Sequence, residues 1–212
     1  MGGEPKQFRL LGGVPLMGWG TRALLDALAG PVVVVLPPGA MNEGEAALRT
    51  VLPVAGERLR LVAGGVRRRD SVRAGLEAVE SAGTVLVHDA ARPFASKALV
   101  ERVARRAAAG RAVVPALPVR DTLKEVDGPR IVGTVDRERF VAAQTPQGFP
   151  RAALLEAHDA DPADATDCAA LCERHGIPVE WIAGEALNRK ITDPEDWVWA
   201  EDLVAAGALR WR

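Results

Sequence analysis

PVVVVLPP (31–38) is the stretch on which the fold turns. Four valines and a leucine in a row leave no polar position for a solvent face. A β-branched run without alternation suits a strand covered on both sides, and such strands belong to sheets sandwiched between helices. Working outward, LRLVA (59–63) reads as a second strand and ends in Gly64-Gly65. DSVRAGLEAVES (70–81) has helical spacing, with Val72, Leu76 and Val79 on one side. TVLVH (84–88) is a third strand and ends at Asp89. SKALVERVARRAAA (96–109) is a helix with Ser96 as N-cap, and RAVVPAL (111–117) is a fourth strand.

Strand and helix alternate with short connections, which predicts a largely parallel sheet covered by helices. Ligands of such sheets bind beyond the carboxyl ends of the strands. Gly64-Gly65 and Asp89 both fall there. The pattern then changes: PVRDTLKEVDGPRIVGTVDRERF (118–140) is polar and has a DG turn signal at 127–128. It reads as a long hairpin with too few apolar residues for a core of its own, and so as a projecting arm of the kind that embraces a second subunit. Helices follow at 151–158 and 165–176, strands at 178–184 and 189–192, and a last helix at 193–207 with Asp193 as N-cap and Pro194 in its first position.

The chain has 212 residues, 48% hydrophobic and 26% charged, with a formal net charge of −1. That is enough for one sizeable core over 1–212. The balanced charge argues against a nucleic-acid binder or a membrane-surface protein, so an anion site must be built locally. No apolar run approaches the roughly 20 residues that span a bilayer, and no signal peptide is visible. A cytoplasmic location is expected. Cys168 and Cys172 lie four apart on one helix face, near His175. An i,i+4 pair is poor disulfide geometry, and the ligand count falls short of a closed zinc site. Both are expected to be buried thiols.

AGGVRRRDSV (63–72) places two glycines before a helix start that carries three arginines. A bound phosphate or nucleotide is one reading, and a glycine turn beside solvated arginines is the other. VLVHDAARP (85–93) delivers His88 and Asp89 to the same crevice, with Arg92 three residues on. Asp89 can position a divalent cation or a polar substrate, or can cap the turn and pair with Arg92. Thr122 and Arg137 face each other at the base of the hairpin. They form a phosphate-binding pair, or Arg137 pairs with Asp121 across the strands. Thr145, Thr166 and Lys190 add hydroxyl and ammonium groups. No Ser–His–Asp or Cys–His constellation and no full Walker motif is present. Isolated cations and hydroxyls with one aspartate suit phosphoryl or nucleotidyl transfer, where positioning and charge neutralisation dominate.

PKQF, AGGVRRRDSV, VHDAARPF, PVRDTLK, TVDR, QTPQGF, ATDCAAL and RKITDPEDW, in this order, closely resemble the 2-C-methyl-D-erythritol 4-phosphate cytidylyltransferases from about Pro5 to Asp196. The resemblance implies an α/β, Rossmann-like nucleotidyltransferase fold and a homodimer clasped by the arm at 117–146. It implies CTP and methylerythritol phosphate as substrates, with Mg²⁺ held mainly by the CTP phosphates and no metal-ligating residue set in the protein. By position, Lys6 would stabilise the pentacoordinate transition state. Gly64, Gly65, Ser71, Asp89 and Ala90 would contact the cytidine nucleotide. Asp89, Arg92, Thr122, Arg137, Thr145, Thr166 and Lys190 would form the methylerythritol phosphate site. Thr122 and Arg137 would come from the partner subunit, and Arg137 and Lys190 would aim the nucleophile.

Two departures stand out. Val66 occupies a position where many members carry a polar residue. Members also begin with an apolar strand and a loop of the form A-A-G-x-G-x-R-M-G ahead of P-K-Q, whereas this sequence opens M-G-G-E-P-K-Q. Met1-Gly2 then reads as the end of that loop, and Lys6 is expected to be mobile without its loop partners. A cytidylyltransferase for another polyol phosphate, such as ribitol 5-phosphate, and an inactive nucleotide-binding relative are the competing readings.

Overall fold

The structure, a computed structural model, describes residues 5–211, so Met1 and Gly2 lie outside the described residues. Strands β1 (Leu10–Leu11) and β2 (Val14–Pro15) form a small antiparallel ribbon that runs into helix α1 (Leu16–Ala27). Then come β3 (Val32–Leu36), α2 (Met41–Val51), β4 (Leu59–Ala63), α3 (Arg68–Glu77), β5 (Thr84–Val87), α4 (Lys97–Ala108) and β6 (Ala112–Pro118). The arm hairpin is β7 (Lys124–Asp127) and β8 (Arg130–Thr134). β9 (Val141–Ala143) and β10 (Gln147–Pro150) lead to α5 (Arg151–Ala160), α6 (Cys168–Arg174), β11 (Val179–Ala183) and α7 (Pro194–Ala205).

The architecture is α/β with a mixed central sheet. β3 pairs parallel with β4, and β6 pairs parallel with β11. β10 enters antiparallel between β5 and β6, and β9 adds antiparallel to β6. The five-stranded part is therefore β11-β6-β10-β5 with β9 alongside, and β3-β4 forms a separate pair. No strand among the described residues pairs with the second edge of β3 or of β5. The valines of 31–38 are not fully covered as expected: Val32 and Leu36 are buried, but Val33, Val34 and Val35 are only half-buried, and Val34 and Val35 line an open cavity.

Apolar side chains close the interior from both faces. Phe149, Leu154 and Leu171 pack under the β5–β10 side, and Met17, Leu36 and Leu48 under β3–β4. A third cluster joins Trp19, Phe94 and Trp197, and so fixes α1 and α7 to the segment after β5.

Several expectations shift in detail. The helix at 165–176 begins only at Cys168, because Asp167 is its N-cap and accepts from Ala170 N at 2.8 Å. RKIT (189–192) is not a strand. Ile191 N donates to Ala91 O at 2.8 Å, but the next amide, Thr192 N, turns to Asp196 Oδ2 at 2.8 Å. Lys6 is not loose: residues 5–9 form a turn (Phe8 N to Pro5 O, 3.0 Å; Arg9 N to Lys6 O, 3.2 Å), and Lys6 Nζ donates to Ile191 O at 2.7 Å. Cys168 and Cys172 are buried free thiols. Burial pushes them up to about 11 and about 12, which keeps both protonated.

Candidate active site

A cavity of about 330 Å³ opens between the free edge of β3 and the segment that follows β5. Val34, Val35 and Leu36 line one side, Asp89 and Ala90 the other, and Lys6 and Lys190 reach in. The apolar strand β5 ends at Val87, and Arg92 N donates to Asp89 O at 2.9 Å. That tight turn presents the Asp89 carboxylate at the strand's carboxyl end.

Asp89 is held by charge. Lys190 Nζ lies 3.0 Å from Asp89 Oδ2, and Arg92 Nε lies 3.9 Å from the same oxygen. Burial works against ionisation of Asp89, but Lys190, Arg68 and Arg92 outweigh it and hold the carboxyl below the usual carboxylate range. Arg92 is clamped beneath it, donating to Asn188 O (2.8 Å) and Ala143 O (3.2 Å). Its Nε is buried and has no hydrogen-bond partner among the described residues.

The loop that carries Lys190 is set by buried polar side chains that the sequence reading missed. Gln144 Oε1 accepts from Glu185 N (3.0 Å), and its Nε2 donates to Glu185 O (2.9 Å). Asn188 Nδ2 donates to Thr145 O at 2.7 Å. Asp196, almost fully buried on α7, accepts from Thr192 N and from Thr192 Oγ1 (2.6 Å), and pairs with Arg189 at 2.7 Å. Arg189, Ile191 and Thr192 are thus all anchored, and Lys190 between them projects at Asp89. The sequence signal was available: amides flanked by apolar residues, as in AAQTPQGF, need internal partners when buried.

The other expected residues are placed separately. Gly64 and Gly65 sit at the carboxyl end of β4, where α3 folds back on them. A Cβ on Gly64 would come within 2.6 Å of Ser71 Oγ, and one on Gly65 within 2.3 Å of Asp70 Cβ. Local packing therefore already demands glycine. Ser71 Oγ accepts from Gly65 N at 3.2 Å, which closes this loop. The three arginines diverge. Arg67 pairs with Asp70 at 2.8 Å, Arg69 donates to Asp161 O and His158 O, and Arg68 touches the Cys168 thiol at 3.8 Å. Val66 is fully exposed.

Thr145 lies buried beneath Asp89, and its Oγ1 accepts from Asp89 N at 3.0 Å. Thr166 is exposed, one residue before the α6 cap. Thr122 and Arg137 sit at the base of the arm, where Val135 N donates to Leu123 O at 3.2 Å and Arg137 Nη1 donates to Arg120 O. That bond replaces the Asp121–Arg137 ion pair considered as an alternative. No hydrogen bond or ion pair among the described residues links Thr122, Arg137 or Thr166 to Asp89.

An α/β sheet that opens at its strand ends onto a single carboxylate held among cations has the build of a nucleotidyltransferase, an enzyme that works by placing and neutralising phosphates. A family model described as 2-C-methyl-D-erythritol 4-phosphate cytidylyltransferase matches residues 1–206, and the chain belongs to that family. It is 46% identical over 213 residues to the bifunctional enzyme IspD/IspF of Anaeromyxobacter dehalogenans, an alignment covering 96% of this chain and 54% of that protein. With the 2-C-methyl-D-erythritol 4-phosphate cytidylyltransferase of Nocardia farcinica the identity is 47% over 203 residues, covering 95% and 86%. The crystal structure of the Thermus thermophilus enzyme of that name superimposes with a TM-score of 0.81 at 43% identity, covering 96% of this chain and 95% of the other. The chain spans about half the length of the bifunctional relatives.

Proposed function

We propose that the chain transfers CMP from CTP to 2-C-methyl-D-erythritol 4-phosphate, releasing pyrophosphate and 4-diphosphocytidyl-2-C-methyl-D-erythritol, in the non-mevalonate route to isoprenoids. The observation that carries this reading is the Asp89–Lys190 pair at 3.0 Å on the cavity that Lys6 also lines, in a chain of this family. The attacking oxygen belongs to the polyol phosphate, which is already largely ionised at pH 7 because its second pKa is about 6. No general base is required. A bond forms from that oxygen to the α-phosphorus of CTP, and the α–β bridge breaks with its electron pair leaving on pyrophosphate.

The cost lies in bringing two polyanions together. Lys6 is positioned to neutralise the nucleotide phosphates, and Lys190 with Arg92 to receive the polyol phosphate. Gly64, Gly65, Ser71 and Ala90 form the nucleotide side, and Thr145 and Thr166 the polyol side. Arg137 and Thr122 reach the site of a partner chain: their hydrogen bonds and ion pairs among the described residues do not include Asp89, and Arg137 Nη1 is held at the arm's own base by Arg120 O. The arm at 117–146 exposes Val126, Ile131, Val132 and Phe140, an apolar surface suited to a second copy. One domain over 1–212 with this arm forms a cytoplasmic homodimer.

Mg²⁺ fits the chain as a nucleotide-borne ion. No group of three or more His, Cys, Asp or Glu residues able to hold a metal occurs among the described residues, and Asp89 is the carboxylate at the cavity. Mg²⁺ is commonly held by substrate phosphates with one or two carboxylates, and supplies charge neutralisation there. The test is pyrophosphate release by the purified chain with CTP, Mg²⁺ and either methylerythritol phosphate or ribitol 5-phosphate. Turnover with the first alcohol is expected. Preference for the second, or no turnover with either, would overturn the reading.

A further inference from the structure

His88 is absorbed by none of these roles, yet both of its ring nitrogens have a partner at the site. Its Nε2 lies 3.0 Å from Arg92 O, and its Nδ1 lies 3.0 Å from Thr145 Oγ1. A carbonyl oxygen can only accept, so Nε2 must carry a proton. A neutral ring then has a bare Nδ1, which must accept, and the donor is the Thr145 hydroxyl. That same oxygen accepts from Asp89 N. The result is a directed chain: Asp89 N–H to Thr145 Oγ1–H to His88 Nδ1, and His88 Nε2–H to Arg92 O. Burial pushes the imidazole down to about 4, so the neutral ring persists at physiological pH.

The ring has a place built for it. Gly20 lies in the interior of α1, where glycine is less favourable than alanine. A Cβ there would approach His88 Cδ2 and Nε2 to 3.0 Å, so the glycine makes room for the imidazole edge. Gly20 is buried, and it brings no charge to the ring.

We propose that His88 is a positioning residue that fixes the polarity of Thr145. The Thr145 proton is committed to His88, so the hydroxyl offers only an acceptor lone pair to anything beyond Asp89 N. A polyol hydroxyl can donate to it; a phosphate oxygen cannot. Thr145 thereby reads the alcohol portion of the acceptor and leaves its phosphate to Lys190 and Arg92. This rests on the cytidylyltransferase reading above, but the hydrogen-bond chain can be tested without turnover.

The first measurement is the nitrogen-15 spectrum of His88 in the full chain. The Nε2–H tautomer is expected, with no titration between pH 8 and pH 5. An Nδ1–H ring, or a midpoint in that window, overturns the relay whether or not the enzyme is active. The second is binding of methylerythritol phosphate to the CTP-loaded protein. His88→Phe is expected to weaken it roughly ten- to hundredfold, with the Kd for CTP changed less than about twofold. His88→Asn, which restores an acceptor toward Thr145, recovers part of the loss. Thr145→Val combined with His88→Phe is no worse than Thr145→Val alone. Should His88→Phe not fold, Gly20→Ala carries the test, since alanine favours the helix but displaces the ring. Equal losses for both ligands, or additive losses in the double variant, overturn the proposal; loss of turnover in the parent with an intact tautomer counts against the function instead.

Discussion

The wall of the crevice around Asp89 and the arm at 117–146 belong to one chain but are stabilised in opposite ways. At the wall, charged and polar groups are placed by buried partners: Gln144, Asn188 and Asp196 hold the loop that presents Lys190. On the arm, Arg137 and Thr122 sit on an exposed hairpin whose bonds are local, and whose apolar side chains face outward. The wall is finished within one chain. The arm carries residue types suited to the same chemistry but brings none of them to its own Asp89.

The sharpest way to break this contrast is at the wall. Lys6→Ala and Lys190→Ala each remove a cation from the cavity, and steady-state assays are expected to show kcat down about 100-fold or more, since preorganised charge is typically worth that much. For Lys6→Ala the fall in kcat should far exceed any weakening of CTP binding; equal rates for mutant and parent would sink its role. Next is the arm. Arg137→Ala should lower kcat/KM roughly tenfold or more while leaving the melting temperature unchanged, because the side chain is exposed. A mixture of Arg137→Ala and Lys190→Ala chains should regain activity above either alone if the arm serves a partner. No recovery would assign Arg137 to its own chain.

Asp196→Ala tests the support of the wall. It strands Thr192 N, Thr192 Oγ1 and Arg189, and denaturant titration should show a loss of about 1–3 kcal/mol. Acid comes next. His88 has a folded-state pKa near 4, below the ordinary 6.5, so the unfolded chain takes up the proton first. Stability should fall as pH drops from about 6.5 toward 4, and His88→Asn should flatten that part of the profile. The smallest effect belongs to the surface: Arg22→Ala breaks an exposed i,i+4 pair with Asp26 and should cost no more than about 0.5 kcal/mol.

What could be read from the sequence followed physical strength. The β-branched run became β3, and Ser96 and Asp193 cap helices as their spacing predicts, with Asp196 completing the box on α7. Helix α1 carries no such signal. It starts after Pro15 with no side-chain cap, and holds Gly18 and Gly20, the second kept for a contact with a residue far along the chain. β10 was hidden because QGFP lacks alternation, and only pairing with β5 and β6 makes it a strand. At the site, residue types were legible and connectivity was not. Asp89, Arg92 and Lys190 stood out as charges, whereas Gln144, Asn188 and Asp196 matter through partners that only the tertiary structure supplies.

The division of the sheet has a kinetic side. β6 is buried along most of its length and has neighbours on both edges, while the arm strands β7 and β8 are exposed and, among the described residues, pair with each other alone. Amides on such strands open without the central sheet opening. A hydrogen-exchange map should therefore grade steeply across the molecule, slowest at Val113 and Val114 and fastest on the arm strands. The centre of the sheet would keep its protons while the arm exchanges them freely.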